Sequence, residues 1–158
     1  MTEQDIQYAL GQHLFLKNVC VPNVLMSGVK KAPYEADFIY FNLNTLHLTE
    51  VEIKTNINDF RNDFKKVRYH DNHNVMYLYY AVPRSLYDDH WDVIDEMLGS
   101  AGLILIDEYS GTYFDKPVYK VGGFIKRAKR RKGSVKLNEQ EKEYYMRLGC
   151  MKWVNRGH

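Results

Sequence analysis

Residues 74–83, NVMYLYYAVP, form an apolar run closed by a proline. A strand with one wet face alternates apolar and polar residues. A strand that is apolar throughout is buried on both faces, so its sheet must be covered by helices above and below. A second such run, GLILIDE at 102–108, follows after a stretch of helical spacing from about Ser85 to Leu98. These runs predict two central strands joined by a crossover helix.

The remaining segments build around that centre. Thr2 is placed to cap a first helix, with Asp5 in its first turn and Ile6, Leu10 and Leu14 as an apolar stripe. VCVPNVLM follows, and its Pro22 restricts it to a sheet edge. SGVKKAP reads as a loop. EADFIYF (35–41), a turn at NLN, and LHLTEVEIK (46–54) predict a β-hairpin. Asn56 caps a helix expected to run from Ile57 to about His70, with Ile57, Phe60, Phe64 and Val67 on one face. GTYFDKPVYKV reads as one more strand or an irregular arm, and Asn138 caps a last helix from Glu139 to about Leu148. The order predicts an α/β fold: a mixed central β-sheet flanked by helices. At 158 residues the chain is long enough to bury one core.

The hairpin contains a conflict. Strands tend to exclude Asp and Glu, yet Asp37 lies inside one strand and Glu50, Glu52 and Lys54 lie in the next. Alternate residues share a face, so Glu50, Glu52 and Lys54 project together while Val51 and Ile53 face the core. The charged face then has to meet solvent, counter-charges or a metal. If the hairpin sets Asp37 beside Glu52, the two carboxylates repel, and a divalent cation removes the repulsion. Magnesium binds through one or two carboxylates, keeps several waters and is completed by phosphate. These residue types therefore suit metal-assisted phosphodiester hydrolysis. An exposed strand face with cross-strand salt bridges fits the spacing equally well.

Charge is divided unevenly. Nine Lys or Arg and no acid fall between Lys116 and Lys136, leaving 13 basic and 20 acidic residues elsewhere. One basic surface on an acidic chain suits a polyanion partner, and equally a solvated tail. Two isolated cysteines, Cys20 and Cys150, make neither a disulfide framework nor a zinc site and suit a reducing, cytoplasmic setting. There is no apolar run of transmembrane length, and MTEQDIQYAL does not read as a signal peptide. HDNHN (70–74) lacks the partners of a closed zinc site, and DDHWD (88–92) reads as solvated helix charge.

Asp37, the hairpin, Glu52-Ile53-Lys54 and the helix after them resemble the PD-(D/E)xK nuclease superfamily. The wider pattern EADFIYF…LTEVEIKTNINDFRNDFKK…YH, then YLYYAVP and GLILIDE, resembles its MmcB-like DNA-repair branch over about residues 2–108. The Pro-Asp dipeptide of the superfamily name is absent: Ala36 precedes Asp37. The resemblance implies a restriction-endonuclease-like core over 1–124, with 125–158 as a basic segment and helix packed on or extending from it. It implies Asp37, Glu52 and the Ile53 carbonyl as ligands of Mg²⁺ or Mn²⁺, and Lys54 as the catalytic lysine. Lys66 is a further catalytic candidate, on a helical stripe with Asp59, Asp63 and His70. The superfamily often adds a first-helix acid, for which Glu3 and Asp5 are the candidates. Lys126, Arg127, Lys129, Arg130, Arg131 and Lys132 would anchor DNA, or RNA, without reading its sequence. A homodimer or a larger repair or phage complex fits a chain of this size. Two rivals stand beside the nuclease: a non-catalytic nucleic-acid-binding module on the same fold, and a phage or plasmid accessory interaction protein.

Overall fold

The structure is a computed structural model, and it describes residues 1–28, 33–66 and 70–156. Val67 and the middle of the 27–33 loop lie outside these. Six strands form one mixed sheet in the order β1 (Asn18–Met26), β2 (Tyr34–Asn42), β3 (Leu48–Ile53), β4 (Val75–Pro83), β5 (Gly102–Tyr109), β6 (Val118–Lys126). The first three strands are mutually antiparallel, β3, β4 and β5 run parallel, and β6 returns antiparallel on β5. Spatial order follows chain order throughout. The parallel strands sit inside the sheet, as the apolar runs of β4 and β5 require. Pro22 is on the edge strand β1, where a missing N–H is tolerated.

Helices cover both faces. Helix α1 (Glu3–Leu14) begins with a capping box in which Thr2 and Asp5 satisfy each other's backbone N–H. Its Ile6, Ala9 and Leu10 pack on Phe38, Val51, Ile53, Tyr79 and Ala81. On the opposite face, α2 (Ile57–Asp63) and α3 (Arg84–Leu98) bring Phe60, Ile94 and Leu98 against Tyr80, Val82, Leu103 and Leu105. Strand alternation explains the division, since Tyr79 and Ala81 point to α1 while Tyr80 and Val82 point to α2 and α3. Among the described residues, no helix is long and apolar enough to cross a membrane.

Three expectations change. Helix α2 ends at Asp63 instead of running to about His70, because Asp63 turns inward and ties to His70, whose backbone has φ +62°. The last helix, α4 (Glu139–Arg156), runs two turns beyond Leu148. Tyr145 and Leu148 pack among the residues of β1 and β2, Gly149 lies against Val21, and Trp153 donates to the Cys20 carbonyl. The stretch 111–121 divides: residues 111–117 are irregular, and β6 begins at Val118 and runs on to Lys126.

The basic segment does not trail away. Residues 127–137 form a strap across the end of the sheet where β3, β4 and β5 begin. It is fixed by backbone bonds from Lys129 to Ser100, Arg131 to Met76, Val135 to His73 and Leu137 to Leu46.

Gly102 makes the crossing possible. In the register it opposes Tyr79, and a Cβ there would lie 2.2 Å from the Tyr79 ring and 2.7 Å from the backbone nitrogen of Ala128 in the strap. Overpacking of this kind costs about 1–3 kcal/mol. Gly102→Ala is therefore expected to destabilise the protein by about 2 kcal/mol. Urea unfolding measures it, and an unchanged midpoint would mean that the ring and strap are not held in place.

Candidate active site

The hairpin sets the first two acidic groups side by side. Phe38 opposes Val51 across β2 and β3, and one step further along Asp37 Oδ2 accepts from the Ile53 N–H at 2.8 Å. The Asp37 and Glu52 carboxylates are near neighbours across the hairpin, close enough for each to act on the other's ionisation. Lys54 is held at the end of β3 by its own N–H, which donates to the Ala81 carbonyl at 3.1 Å. Its ammonium lies 3.2 Å from Glu52 Oε2 and 3.2 Å from Asp63 Oδ1.

Both faces of β3 are buried, with Glu50 and Glu52 at 0% and 1% exposure. The charged face is therefore not a solvent face. It meets counter-charges under α2. Asp63 Oδ2 accepts from the Tyr80 hydroxyl and lies 2.9 Å from His70 Nε2. His70 Nδ1 is hydrogen-bonded to Glu50 Oε1, and the Tyr34 hydroxyl donates to Glu50 Oε2 at 2.7 Å. Arg131 of the strap donates to the His70 carbonyl.

The pKa directions follow from this crowding. Burial raises Glu52, and the nearby Asp37 and Glu50 carboxylates raise it further. Burial also raises Asp37, against the opposing pull of the Ile53 N–H. Burial alone would lower Lys54, but Glu52, Asp63 and Asp37 outweigh it and push the ammonium up to about 12. His70 behaves likewise: burial lowers it, while the bonds to Asp63 and Glu50 carry it up to about 9. Asp63 ends well below the usual carboxylate range, because bonds from His70 and Tyr80 outweigh its burial.

In front of the cluster lies a polar cleft of about 290 Å³, lined by Glu3, Asp37, Ile53, Lys54, Thr55, Asp59, Asn62 and Lys66. The structure thus brings Asp37, Ile53, Lys54 and Lys66 to one cleft, with Glu52 directly behind. Lys66 is half-exposed, 3.4 Å from Asp63 Oδ1. Of the two first-helix acids, Glu3 faces the cleft, where its Oε1 accepts from Gln7 and Asn23, and Asp5 is spent on its cap. The donor set suits a hard divalent cation: two adjacent carboxylates and a backbone carbonyl. Glu52 Oε1 is buried with no hydrogen-bond donor and lies 3.6 Å from His70 Nδ1, on the side away from Lys54.

The six basic residues do not share one environment. Lys126 donates to the Gly99 carbonyl at 2.5 Å and Arg131 to that of His70, so both help to fasten the strap. Arg127, Lys129, Arg130 and Lys132 are exposed. The strap crosses the start of β4 near Met76, whereas Glu52 pairs with Tyr80 towards the other end. It lies to one side of the cleft instead of roofing it.

Periodicity missed the inward roles of Asp63 and His70, which it placed on a helix face bordering the cleft. Tyr34 and Tyr80 left no signal beyond apolar strand positions. Glu50 was visible as the same-face neighbour of Glu52.

No protein-family profile matches the chain, and no curated protein matches it. A solved structure, a protein of unknown function from Silicibacter pomeroyi, is similar over 99% of this chain and 88% of its own, with a TM-score of 0.60 at 14% identity. That likeness shows the fold: an α/β protein with a mixed, helix-flanked sheet.

The crowding has a measurable consequence. Glu52→Gln keeps the shape and removes a carboxyl group whose ionised form is opposed by burial and by Asp37 and Glu50. In EDTA it is expected to stabilise the protein by about 1 kcal/mol or more, equivalent to roughly 2–4 °C in melting temperature for a chain of this size. A lower melting temperature would mean that the Glu52–Lys54 pair outweighs the repulsion.

Proposed function

We propose that this chain is a divalent-metal-dependent nuclease that hydrolyses phosphodiester bonds in DNA. The observation that carries the reading is the convergence of Asp37 and Lys54 in a polar cleft with Glu52 directly behind, where two neighbouring carboxylates have an ammonium 3.2 Å from Glu52 Oε2. Asp37, Glu52 and the Ile53 carbonyl would hold Mg²⁺ or Mn²⁺, which when bound supplies Lewis acidity and a water of lowered pKa. Lys54 is kept charged by Glu52 and Asp63 and lines the cleft, placed to stabilise negative charge developing on the scissile phosphate. Lys66, half-exposed at the rim, binds and orients a substrate phosphate. The exposed cations of the strap add affinity that is independent of sequence and sensitive to salt.

The second reading is a non-catalytic nucleic-acid-binding module. It is favoured by the fact that Lys54 already sits between two carboxylates, as a purely structural ion pair would.

Cleavage assays on supercoiled, linear and single-stranded DNA and on RNA, with Mg²⁺, Mn²⁺ or EDTA, separate the two. Metal-dependent cutting is expected, reduced about 10²–10³-fold or more by Glu52→Ala and by Lys54→Ala. A folded wild type that binds DNA but never cuts would overturn the nuclease and leave the binding module. In either case, neutralising Arg127, Lys129, Arg130 and Lys132 together is expected to flatten the dependence of log K on log salt by about 0.9 per lost phosphate contact. An unchanged slope would remove the strap from the interface.

A further inference from the structure

We propose that Glu50, Glu52 and His70 form a second, inner cation site, selective for a transition metal such as Zn²⁺ over Mg²⁺. It is distinct from the Asp37–Glu52–Ile53 edge and does not depend on whether the chain cuts nucleic acid.

Three ligand atoms, one from each residue, lie within 4.8 Å of one another, and all three residues are buried. One inward atom has no donor: Glu52 Oε1 is buried and unpartnered, 3.6 Å from His70 Nδ1. A buried carboxylate oxygen without a donor is costly, and a cation between Glu50, Glu52 and His70 would supply what it lacks.

The atoms facing away are all held. Glu50 Oε2 accepts from Tyr34, Glu52 Oε2 lies against the Lys54 ammonium, and His70 Nε2 lies 2.9 Å from Asp63 Oδ2. A carboxylate that accepts from one ring nitrogen turns the lone pair of the other towards a metal, as metal-binding histidines commonly require. The cation takes the place of the proton shared by His70 Nδ1 and Glu50 Oε1. It also improves the charge balance. Among the described residues, the three buried carboxylates Glu50, Glu52 and Asp63 face Lys54 and His70 as their buried basic partners.

Donor chemistry selects the ion. Imidazole with two carboxylates suits Zn²⁺, which accepts three protein ligands and one further position. Mg²⁺ demands octahedral oxygen and dehydrates reluctantly, so a buried donor set containing nitrogen disfavours it. Glu52 then lies between two sites of different character, with Oε1 towards the inner one.

Equilibrium dialysis of the full chain against Zn²⁺ in excess Mg²⁺, with no nucleic acid, tests this. One zinc per chain is expected to be retained. His70→Gln and Glu50→Gln should each weaken it by at least about 100-fold, and Asp63→Asn by about 10–100-fold. Asp37→Asn should leave it unchanged. Should a variant not fold, the wild type suffices: in ¹⁵N-histidine NMR, Zn²⁺ but not Mg²⁺ should shift the His70 Nδ1 resonance. The proposal is overturned if the wild type retains no zinc. It also fails if zinc survives His70→Gln undiminished, if Asp37→Asn abolishes binding, or if the His70 ring is unaffected by zinc.

Discussion

Two carboxylates in a strand buried on both faces are the constraint around which this protein is arranged. An uncompensated buried charge costs several kcal/mol, so Glu50 and Glu52 require a counter-structure, and the chain supplies it from four directions. Tyr34 comes from β2, Lys54 from the end of β3 itself, His70 from the segment before β4, and Asp63 at the close of α2 links the last two. Each contact also fixes an element. The network holds α2 over the sheet, stops it after two turns and turns His70 inward. It reaches the strap through the bond from Arg131 to the His70 carbonyl.

The same network grades the environment along one strand. Glu50 is fully enclosed, Glu52 nearly so, and Lys54 reaches the cleft together with Asp37 and the half-exposed Lys66. Groups at the open end can meet a large anionic substrate, while those at the closed end can only meet one another or a small ion. A hydrated magnesium and a phosphate suit the first setting. A dehydrated transition cation suits the second. Glu52 lies between the two settings, and its carboxylate is crowded by both Asp37 and Glu50.

The basic strap contributes to the fold as well as to charge. Its backbone satisfies carbonyls at the starts of β3, β4 and β5, and Leu137 enters the core beyond it. It closes the sheet end remote from the cleft, so nucleic acid held there would approach the site along the side of the domain. Its cations would then act mainly on affinity, leaving the reaction to the residues at the cleft.

The sequence by itself determined the covered mixed sheet, because apolar runs such as 74–83 and 102–108 have no other stable home. It also determined the helix starts, because Thr2, Asn56 and Asn138 cap through bonds spanning three residues. The neighbourhood of Asp37, Glu52 and Lys54 was legible too, since hairpin register and strand alternation are local rules. Only the tertiary structure decided that Glu50 is enclosed, that α2 stops at Asp63, and that His70, Tyr34 and Tyr80 close the network. Those contacts join residues 7 to 20 positions apart across different elements. Their energy comes from burial, and a helical or strand period carries no record of what a charge will face once water has been removed.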